Sequence, residues 1–438
     1  MNMLLVGAGA VGEFILRILQ VQDRYGIWLH KAVVADSYLE RAKEVVGRLR
    51  RDERFLPEQV DGRDTEAVVE LIKKHECELV IDGAAPFAYN NLFDAAFQAG
   101  ADYASMGAWS KPLDRPVYGF GLENSFSEAM ASYNFGKHEE WAEAGRMACI
   151  CMGIAPGAVN VFAKFAALYL FDKLHEVHVK DGDNLKDPGA DPDAIAFGSN
   201  EWAVLDRCMN PSVEWDKEKG GFFTEGPFAG RETFEMPGGV GRNTLMKVEH
   251  EETVTMPRYL EEYGLKKCSF KTAMDDSLVN ALKVIYALGL GSLEPVDVNG
   301  VPVIPRDLVA AAAPGPNDMW KNMFGYRCVG VHCIGVKDGM NREVFIYQSL
   351  GNQVSRDKWG IQPKVAQAGF DAAMGIELIA KGVWRDAGVF SPEHFDPIPY
   401  LQLLYETNVG YGVVEMESRY KAAADKKAME RIFAEAGK

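Results

Sequence analysis

The sequence lacks the features that mark several large protein classes. It has no apolar run near the ~20 residues of a membrane-spanning helix. Its seven cysteines include no CxxC pair, which argues against a disulfide framework or a zinc ribbon. HExxH and other metal-ligand spacings are also missing. The net charge of −16 repels the phosphates of nucleic acids. We therefore expect no membrane, nucleic acid or metal partner.

A glycine motif at the start of the chain is the most informative feature that is present. It follows the apolar run Met3-Leu-Leu-Val6 and opens an amphipathic stretch, so the order is strand, glycine turn, helix. Such a turn brings backbone N–H groups to a pyrophosphate at the positive end of the helix dipole. A tight strand-to-helix turn without a ligand is the alternative. The candidate residues of this turn are Gly7, Gly9, Ala10, Val11 and Gly12.

Other candidates for nucleotide contact follow later strands. The strand Lys31 to Ala35 ends in Asp36, where a carboxylate can accept the hydroxyls of an adenosine ribose. Asp36 favours NAD, while Ser37 and Arg41 leave NADP open, because a hydroxyl and a guanidinium can meet a 2′-phosphate. Asn160 is either an amide contact to the ligand or a plain helix cap. The remaining candidates are Asp61, Ala84, Ala85, Pro86 and Gly157.

The order of helix and strand patterns predicts an α/β protein with two domains. Helices and strands alternate to about Met152, which indicates a doubly wound parallel sheet of about six strands. Residues 153–360 show longer alternating segments, which indicate a second α+β domain on a mixed or antiparallel sheet. Helices from about 360–438 are expected to pack back on the first domain, and the tail after Ser418 to form an exposed helix. The apolar N-terminus is typical of a first strand rather than a signal peptide, so a cytoplasmic location is expected.

Individual elements are predicted from the same periodicities. The expected strands include Gln59-Val60 and, in the second domain, Glu176 to Asp181, Lys247 to Met256, Lys267 to Lys271, Arg327 to Val336 and Glu343 to Gln348. The expected helices include Asn160 to Leu170, Asp276 to Leu288 and Val365 to Ile379. Residues 183–193 are expected to form a loop near the cleft.

Candidate acid–base residues lie in the predicted strand Lys247 to Met256. Strand alternation places His250 and Glu252 on an otherwise apolar face. A partly desolvated imidazole beside a carboxylate is an arrangement in which enzymes tune proton transfer. A core histidine satisfied by its neighbouring glutamate is the alternative.

A candidate substrate contact ends the strand Glu176 to Asp181. Alternation puts the Asp181 carboxylate on the same face as two valines, from which it can hold a substrate ammonium. An Asx turn into the following loop is the alternative, more so for Asp183 than for Asp181. The arginine candidates for a substrate carboxylate, which the sequence does not rank, are Arg231, Arg242, Arg258 and Arg356.

With these residues in hand, the chain resembles the saccharopine dehydrogenase-like oxidoreductases over nearly its whole length, including the lysine 6-dehydrogenase and carboxynorspermidine dehydrogenase branches. Ala155 stands where the carboxynorspermidine branch has an aspartate, and Arg356 is one residue out of register before Gly360. Besides the glycine motif, the matching segments are Asp102-Tyr103, Gly153 to Gly157 with Asn160, Glu249 to Glu252, Leu282 to Val284 with Glu294-Pro295, Lys381 to Trp384 and Phe395 to Pro397.

The resemblance implies redox chemistry at a carbon–nitrogen bond with a nicotinamide cofactor, in a homodimer built through the second-domain sheet. Our hypothesis is an NAD(P)-dependent dehydrogenase of an amino acid or an amino-acid-derived amine. His250 would transfer the proton, Glu252 would orient it, and Asp181 would contact the substrate ammonium. One alternative is the reductive condensation of an aldehyde with an amine. Another is an NAD(H)-binding redox sensor without turnover.

Overall fold

The strands of the protein come in two large sheets. A computed structural model describes residues 1–49, 52–189, 195, 197, 201–313, 322–407 and 409–416. Its strands in chain order are β1 Asn2–Val6, β2 Lys31–Asp36, β3 Phe55–Gln59, β4 Leu79–Asp82, β5 Asp102–Ser105, β6 Lys111–Pro112, β7 Gly119–Phe120, β8 Phe126–Glu128, β9 Met147–Cys149, β10 Lys173–Asp183, β11 Ser212–Asp216, β12 Gly221–Glu225, β13 Glu232–Met236, β14 Gly241–Lys247, β15 Lys267–Ala273, β16 Val296–Val298, β17 Val301–Val303, β18 Tyr326–Lys337, β19 Met340–Gly351, β20 Gly388–Phe390 and β21 Tyr411–Met416.

Helices connect and cover these strands. None of those in the described ranges is both long and apolar enough to cross a membrane. In chain order they are α1 Ala10–Gln22, α2 Leu39–Arg48, α3 Thr65–His75, α4 Tyr89–Ala99, α5 Ser132–Gly136, α6 His138–Glu143, α7 Ala158–Phe165, α8 Glu201–Met209, α9 Glu252–Leu260, α10 Asp276–Ala287, α11 Pro305–Ala312, α12 Asn352–Trp359, α13 Pro363–Ala380 and α14 Pro397–Glu406.

The first sheet is fully parallel and has the order β3-β2-β1-β4-β5-β9-β20. Its central strand β1 is buried from Met3 to Val6, as expected for a strand covered on both faces. The chain reverses its direction of travel between β1 and β4, and ligands of such folds bind at this switch point. The predicted doubly wound sheet is therefore confirmed. It also gains a seventh strand, β20, from the C-terminal part of the chain.

Helix α13 packs against α1. The rings of Phe14 and Phe370 lie 5.2 Å apart, and a side chain at Gly369 would come within 2.7 Å of Phe14. The C-terminal part of the chain thus contributes both a strand and a helix to the layer around the first sheet.

The second sheet is mixed. Strand β10 is parallel to β15 and antiparallel to β18, and the path through the sheet is β21-β19-β18-β10-β15-β11-β12-β7, with β14 also pairing with β15. Helices α7 and α9 pack against it. The α+β second domain is confirmed, and its predicted strands at β10, β15, β18 and β19 are each longer than the sequence pattern indicated.

The predicted strand Lys247 to Met256 is wrong. Strand β14 ends at Lys247, the chain turns, and helix α9 begins at Glu252. The polar–apolar alternation that suggested a strand also fits a short helix, since Glu252, Thr255 and Met256 share one buried helical face.

Smaller boundary errors occur elsewhere. The predicted strand Gln59-Val60 is β3, which ends at Gln59. The predicted helix Asn160 to Leu170 begins at Ala158 and changes to a π-helix at Ala166. The tail after Ser418 and the last part of the 183–193 loop lie outside the described residues.

Candidate functional site

The glycine turn is shaped to receive a ligand. Gly7 has φ +101°, and a Cβ there would lie 2.4 Å from the carbonyl oxygen of Gly83. A Cβ on Gly12 would lie 2.2 Å from the carbonyl oxygen of Gly7. A Cβ on Gly9, in contrast, would have no heavy atom within 4 Å apart from its chain neighbours. Helix α1 begins at the next residue, Ala10. The turn therefore leaves open space at a helix N-terminus, where Ala10 and Val11 add first-turn N–H groups and a pyrophosphate fits.

Asp36 is already tied to this turn. Its carboxylate accepts the N–H of Ala8 at 3.0 Å and the N–H of Tyr38 at 3.0 Å, and the Ser37 hydroxyl lies 3.5 Å away. Arg41 donates from Nε to the Ala8 carbonyl at 2.8 Å. A cavity of about 370 Å³ lined by Tyr38, Arg41 and Arg48 opens beside them. A carboxylate of the kind that binds a ribose thus lies close to two guanidinium groups, of which Arg48 pairs with Glu13 at 2.7 Å.

The segment Ala84 to Pro86 lies at the same edge of the sheet. Ala84 donates its N–H to Asp82 at 3.0 Å, and Tyr103 donates its hydroxyl to the same carboxyl group at 2.7 Å. Burial raises the pKa of Asp82 to about 7. Asp61 follows β3 and pairs with Arg63 at 2.7 Å, in an exposed position. The structure therefore brings the glycine turn, Asp36 and the 84–86 segment together, while Asp61 stands at the outer strand.

Asn160 is completely buried and bonds only to protein groups. Its Oδ1 accepts the N–H of Gly157 at 2.9 Å, and its Nδ2 donates to Thr255 and Glu393 at 3.0 Å each. These contacts agree with the alternative in which Asn160 caps helix α7. A Cβ at Gly157 would lie 1.9 Å from the Gly153 carbonyl, so the turn before α7 requires glycine there. Asn160 thus ties α7 to α9.

The turn before α9 carries a buried imidazole. His250 Nδ1 lies 2.5 Å from Glu252 Oε2 and 3.1 Å from Glu251 Oε2. Its ring stacks on Phe270 with centroids 3.7 Å apart and 8° between the planes. Nε2 has no hydrogen-bond partner among the described residues. It keeps some solvent-accessible surface, unlike the buried side-chain atoms that lack a partner. One nitrogen is therefore held and the other is free to meet a substrate.

This turn lies at the carboxyl end of the parallel sheet. Glu251 Oε1 accepts the N–H of Ala108 at 3.1 Å, and Ala108 follows shortly after β5. A Cβ at Gly107 would come within 2.7 Å of the same oxygen. Because the reactive ring of a dinucleotide lies at this edge in doubly wound folds, His250 stands next to the expected nicotinamide position.

Burial sets the protonation of the pair. It lowers the pKa of His250 to about 4 and raises the pKa of Glu252 to about 8. At neutral pH the pair thus holds a neutral imidazole and a protonated carboxyl group. If Glu252 donates to Nδ1, Nε2 carries the ring proton and can give it to a substrate nitrogen.

Asp181 is not open to a substrate in the way the sequence suggested. Its two carboxylate oxygens accept from Nε and Nη2 of Arg327 at 3.1 and 2.9 Å, and both side chains are buried. Arg327 also donates from Nη1 to Gln367 at 2.8 Å. Sequence reasoning passed over Arg327, although an arginine heading an apolar strand was a usable signal.

The four arginine candidates lie elsewhere. Arg231 pairs with Asp276 and Arg356 with Asp357, while Arg242 is exposed. Arg258 stacks over the Phe135 ring at 4.4 Å. Two further cations that the sequence did not single out, Arg207 and Lys364, act electrostatically on both His250 and Asp181.

Comparison with known proteins agrees with this architecture. Residues 3–149 match the saccharopine dehydrogenase NADP-binding domain family. The chain is 26% identical over 95% of its length to carboxynorspermidine synthase of Vibrio alginolyticus, and the match covers 98% of that protein. It is 24% identical over 92% of its length to carboxyaminopropylagmatine dehydrogenase of Synechocystis sp., with 95% of that protein covered. Its first third thus matches the NADP-binding domain of saccharopine dehydrogenases, and nearly its whole length is similar to these two enzymes.

A solved relative has the same fold. Apo saccharopine dehydrogenase (L-Glu forming) from Saccharomyces cerevisiae superimposes with a TM-score of 0.66 at 14% identity. The superposition covers 95% of this chain and 100% of that one. The chain therefore has the same overall fold as that enzyme.

Proposed function

We propose that this protein is an NAD(P)-dependent dehydrogenase that acts on the C–N bond of a carboxylated, amino-acid-derived amine. The observation that supports the proposal is His250, whose Nδ1 is held by Glu252 while Nε2 has no partner among the described residues. His250 lies at the edge of the sheet where a nicotinamide ring would be expected. The substrate class is supported by the relatives, which are named for carboxynorspermidine and carboxyaminopropylagmatine.

A bound nicotinamide coenzyme would supply the hydride chemistry at the carbon of the C–N bond. The glycine turn fits it, because the space above Gly9 is the space that a pyrophosphate needs. Asp36 is placed to meet the adenosine ribose, and Arg41 and Arg48 line the adjoining cavity. Each of these residues positions the coenzyme, and none of them reacts.

His250 moves the proton. In the reductive direction an amine and an aldehyde lose water to give an imine, and hydride addition to its carbon requires one proton at nitrogen. His250 Nε2 gives that proton and Glu252 replaces it through Nδ1. In the oxidative direction the same pair takes the proton from the amine, and water then cleaves the imine.

The reductive direction is the second candidate, and a specific observation favours it. The relative from Vibrio alginolyticus is named a synthase, and its product name describes a carboxylated polyamine. A synthase builds the C–N bond. A redox sensor that binds NAD(H) without turnover is the competing function.

Initial rates in both directions test these functions. Carboxynorspermidine is offered with NAD⁺ and NADP⁺, and amine plus aldehyde with NADH and NADPH. We expect turnover in both directions and faster reduction at neutral pH. Coenzyme binding in calorimetry without turnover on any of these substrates would support the sensor and overturn the dehydrogenase.

The assembly and the location of the protein are also proposals. We propose a cytoplasmic homodimer formed through the second sheet, on the basis of the family resemblance. A depression of about 600 Å³ lined by charged residues of β10, β11 and β15 lies on that sheet. Sedimentation equilibrium with the charge-reversal variant Lys267→Glu is the test, and a monomer in the wild type would contradict the dimer.

A further inference from the structure

A buried chain of polar side chains runs from helix α11 to the turn that carries His250. Arg306, in the first turn of α11, is only 4% exposed, and its Nη1 donates to Asp206 at 2.6 Å. Asn210, just after α8, donates from Nδ2 to Asp206 at 3.2 Å and to Glu249 at 2.8 Å. All four side chains are buried. This polar chain therefore ends one residue before His250.

The turn of His250 is also held by backbone groups on both sides. The N–H of Glu249 donates to the carbonyl oxygen of Arg207, on α8, at 3.0 Å. On the other side, Glu251 accepts the N–H of Ala108 at 3.1 Å. His250 therefore stands between a residue that α8 fixes and a residue that the segment after β5 fixes.

Helix α8 also contacts the edge of the parallel sheet where the coenzyme is expected. The ring of Trp202, in its first turn, meets the ring of Phe87 edge to face, with centroids 6.2 Å apart. Phe87 directly follows the segment Ala84 to Pro86. The guanidinium carbon of Arg306 lies 5.5 Å from the centroid of the Trp202 ring. Arg306 thus contacts the end of α8 that faces the coenzyme edge as well as the polar chain that leads to His250.

The energetics of the polar chain favour a role in positioning. A buried ion pair such as Arg306 with Asp206 contributes little net stability, because both charges lose their hydration. A network of satisfied hydrogen bonds does fix the elements that it joins, and Arg306 Nε adds a further bond to the Gly291 carbonyl at 2.7 Å. Misplacement of a catalytic group by about 1 Å can lower a rate about 100-fold. The polar chain is therefore suited to hold His250 in place.

We propose that Arg306, Asp206 and Asn210 are positioning residues that fix His250 relative to the coenzyme-binding edge. The inference rests on the proposed function, since it assigns a support to the proton-transfer residue of the same reaction. The three residues act on the imidazole through Glu249, and none of them transfers a proton.

Two variants interrupt the polar chain at different points. The double variant Asp206→Leu, Arg306→Met replaces the ion pair by apolar side chains of similar shape, which can leave stability nearly unchanged. Asn210→Ala keeps the ion pair and removes the link to Glu249. Thermal melts check that both proteins are folded.

Gln20→Ala is the matched control. The Gln20 amide also donates two hydrogen bonds, to the Leu49 carbonyl at 2.7 Å and to Asp52 at 3.1 Å, so its loss removes a comparable set of contacts. Gln20 lies in the last turn of α1. Because α1 runs back from the carboxyl edge of the sheet, this turn lies at the opposite edge from the coenzyme.

The kcat for oxidation of carboxynorspermidine, with saturating NAD⁺ or NADP⁺, measures the effect. We expect Asn210→Ala and the double variant to lower kcat about 10- to 100-fold, because the imidazole is displaced from the reacting nitrogen. The kcat of Gln20→Ala and the coenzyme Kd of every variant should stay within about threefold of the wild type. Wild-type kcat in the folded double variant or in Asn210→Ala would overturn the positioning role.

A double-mutant cycle tests the route through Glu249. Glu249→Ala should lower kcat by about the same factor as Asn210→Ala, and the two substitutions together should lower it little further. Fully additive losses would show that Asn210 does not act through Glu249, which contradicts the proposal.

A measurement without turnover separates this inference from the proposed function. The His250 ring stacks on Phe270 with centroids 3.7 Å apart, so the phenyl ring shields its protons from the magnetic field. Histidine-selective NMR follows these protons, and their disappearance in His250→Asn assigns them. A downfield shift in Asn210→Ala and not in Gln20→Ala supports the positioning role, even if the wild type oxidises no amine and the dehydrogenase fails.

The opposite NMR result has an equally definite meaning. If the wild type turns over normally and the His250 signal is the same in Asn210→Ala, the positioning role alone fails. If the wild type shows no turnover and the signal is also unchanged, both the dehydrogenase and the positioning role are overturned.

Discussion

The glycine turn Gly7–Gly12 and the acidic turn Glu249–Glu252 lie at the same edge of the parallel sheet but are built on different principles. In the glycine turn the working groups are backbone N–H groups and empty space above Gly9. In the acidic turn they are side chains, and His250 is placed both by its neighbours Glu251 and Glu252 and by Phe270 on β15. A turn of the first kind depends on local residue types, while one of the second kind depends on what packs around it.

The difference has an energetic basis. Glycine acts through its missing Cβ, which permits φ +101° at Gly7 and close contact with Gly83. His250 acts through its pKa, which burial lowers to about 4. A side chain at Gly7 should therefore destroy the backbone geometry of the glycine turn. A change in the surroundings of His250 should instead alter the pKa of its imidazole.

Glycine substitutions should give the largest effect. Gly7→Ala places a Cβ 2.4 Å from a backbone oxygen at positive φ, so we expect a loss of more than about 3 kcal/mol of unfolding free energy together with coenzyme binding. Gly9→Ala meets no protein atom within 4 Å and should keep the wild-type stability. Its coenzyme affinity should still fall about tenfold or more. Thermal melts and calorimetry measure both, and equal stability of Gly7→Ala and the wild type would contradict the role of this contact.

Substitutions in the acidic turn should leave coenzyme binding intact. His250→Asn is expected to lower kcat about 10²- to 10⁴-fold, because the proton-transfer group is lost. Glu252→Gln still donates to Nδ1 but has no acid proton, so its effect should be smaller. Since the pKa of Glu252 is raised to about 8, the reductive rate should fall as pH rises through 8 in the wild type and not in Glu252→Gln.

One result would contradict the proton-transfer roles assigned to this turn. If His250→Asn and Glu252→Gln both keep full turnover, neither residue transfers protons. The coenzyme Kd of each variant is the control, and an increase above about threefold would indicate damage beyond the proton path.

Coenzyme choice should shift by a smaller factor. Asp36→Asn removes a negative charge at the position proposed for the adenosine ribose, so the ratio of NADP to NAD affinity should rise about tenfold. Arg41→Ala should shift the same ratio in the opposite direction, because it removes a cation from the adjoining cavity. Calorimetric titration with both coenzymes measures the ratio, and identical ratios in the three proteins would exclude these residues as selectors.

Asp371 supplies a structural counterpart to Glu252, and its substitution should change the pH dependence of stability without changing activity. Burial raises its pKa to about 8, and Gln348 donates to its Oδ1 at 2.7 Å. A folded pKa above the unfolded value stabilises the protein fully below about pH 4, and that contribution is lost as pH rises through 8. The wild type should therefore lose up to about 1.4 kcal/mol per pH unit relative to Asp371→Asn across this window.

Denaturant melts at several pH values measure this difference. Asp371→Asn can keep the hydrogen bond that the Gln348 amide donates, and its kcat should equal that of the wild type. Parallel stability curves for the two proteins would show that Asp371 has the same pKa folded and unfolded. A raised pKa with wild-type activity would distinguish a structural acid from a catalytic one.

Much of the fold was predictable, because the strands of the parallel sheet follow from residue patterns that are local in the sequence. Strands β1, β2, β4 and β5 are short apolar runs bounded by glycine or aspartate. The structure has strands at these predicted positions along the chain. The strand Lys247 to Met256 was not predictable in this way, since alternation over ten residues also fits a turn and a short helix.

The site was predictable in its residue types and not in its contacts. His250 and Glu252 were named from the wrong secondary structure, yet they do meet at 2.5 Å, because neighbours two apart in a turn can face one another. Asp181 was expected to be open, but Arg327 lies 146 residues away and nothing local to Asp181 signals it. Lys364 belongs to a helix that local sequence places nowhere near β10.

The sequence by itself determined the glycine turn, the carboxylate that ends β2 and the parallel sheet, because each depends on residues that are neighbours along the chain. Tertiary structure alone decided which groups surround His250 and Asp181. Burial and distant charges set their pKa values and their partners, and both arise only when α9, α13, β15 and β18 pack together.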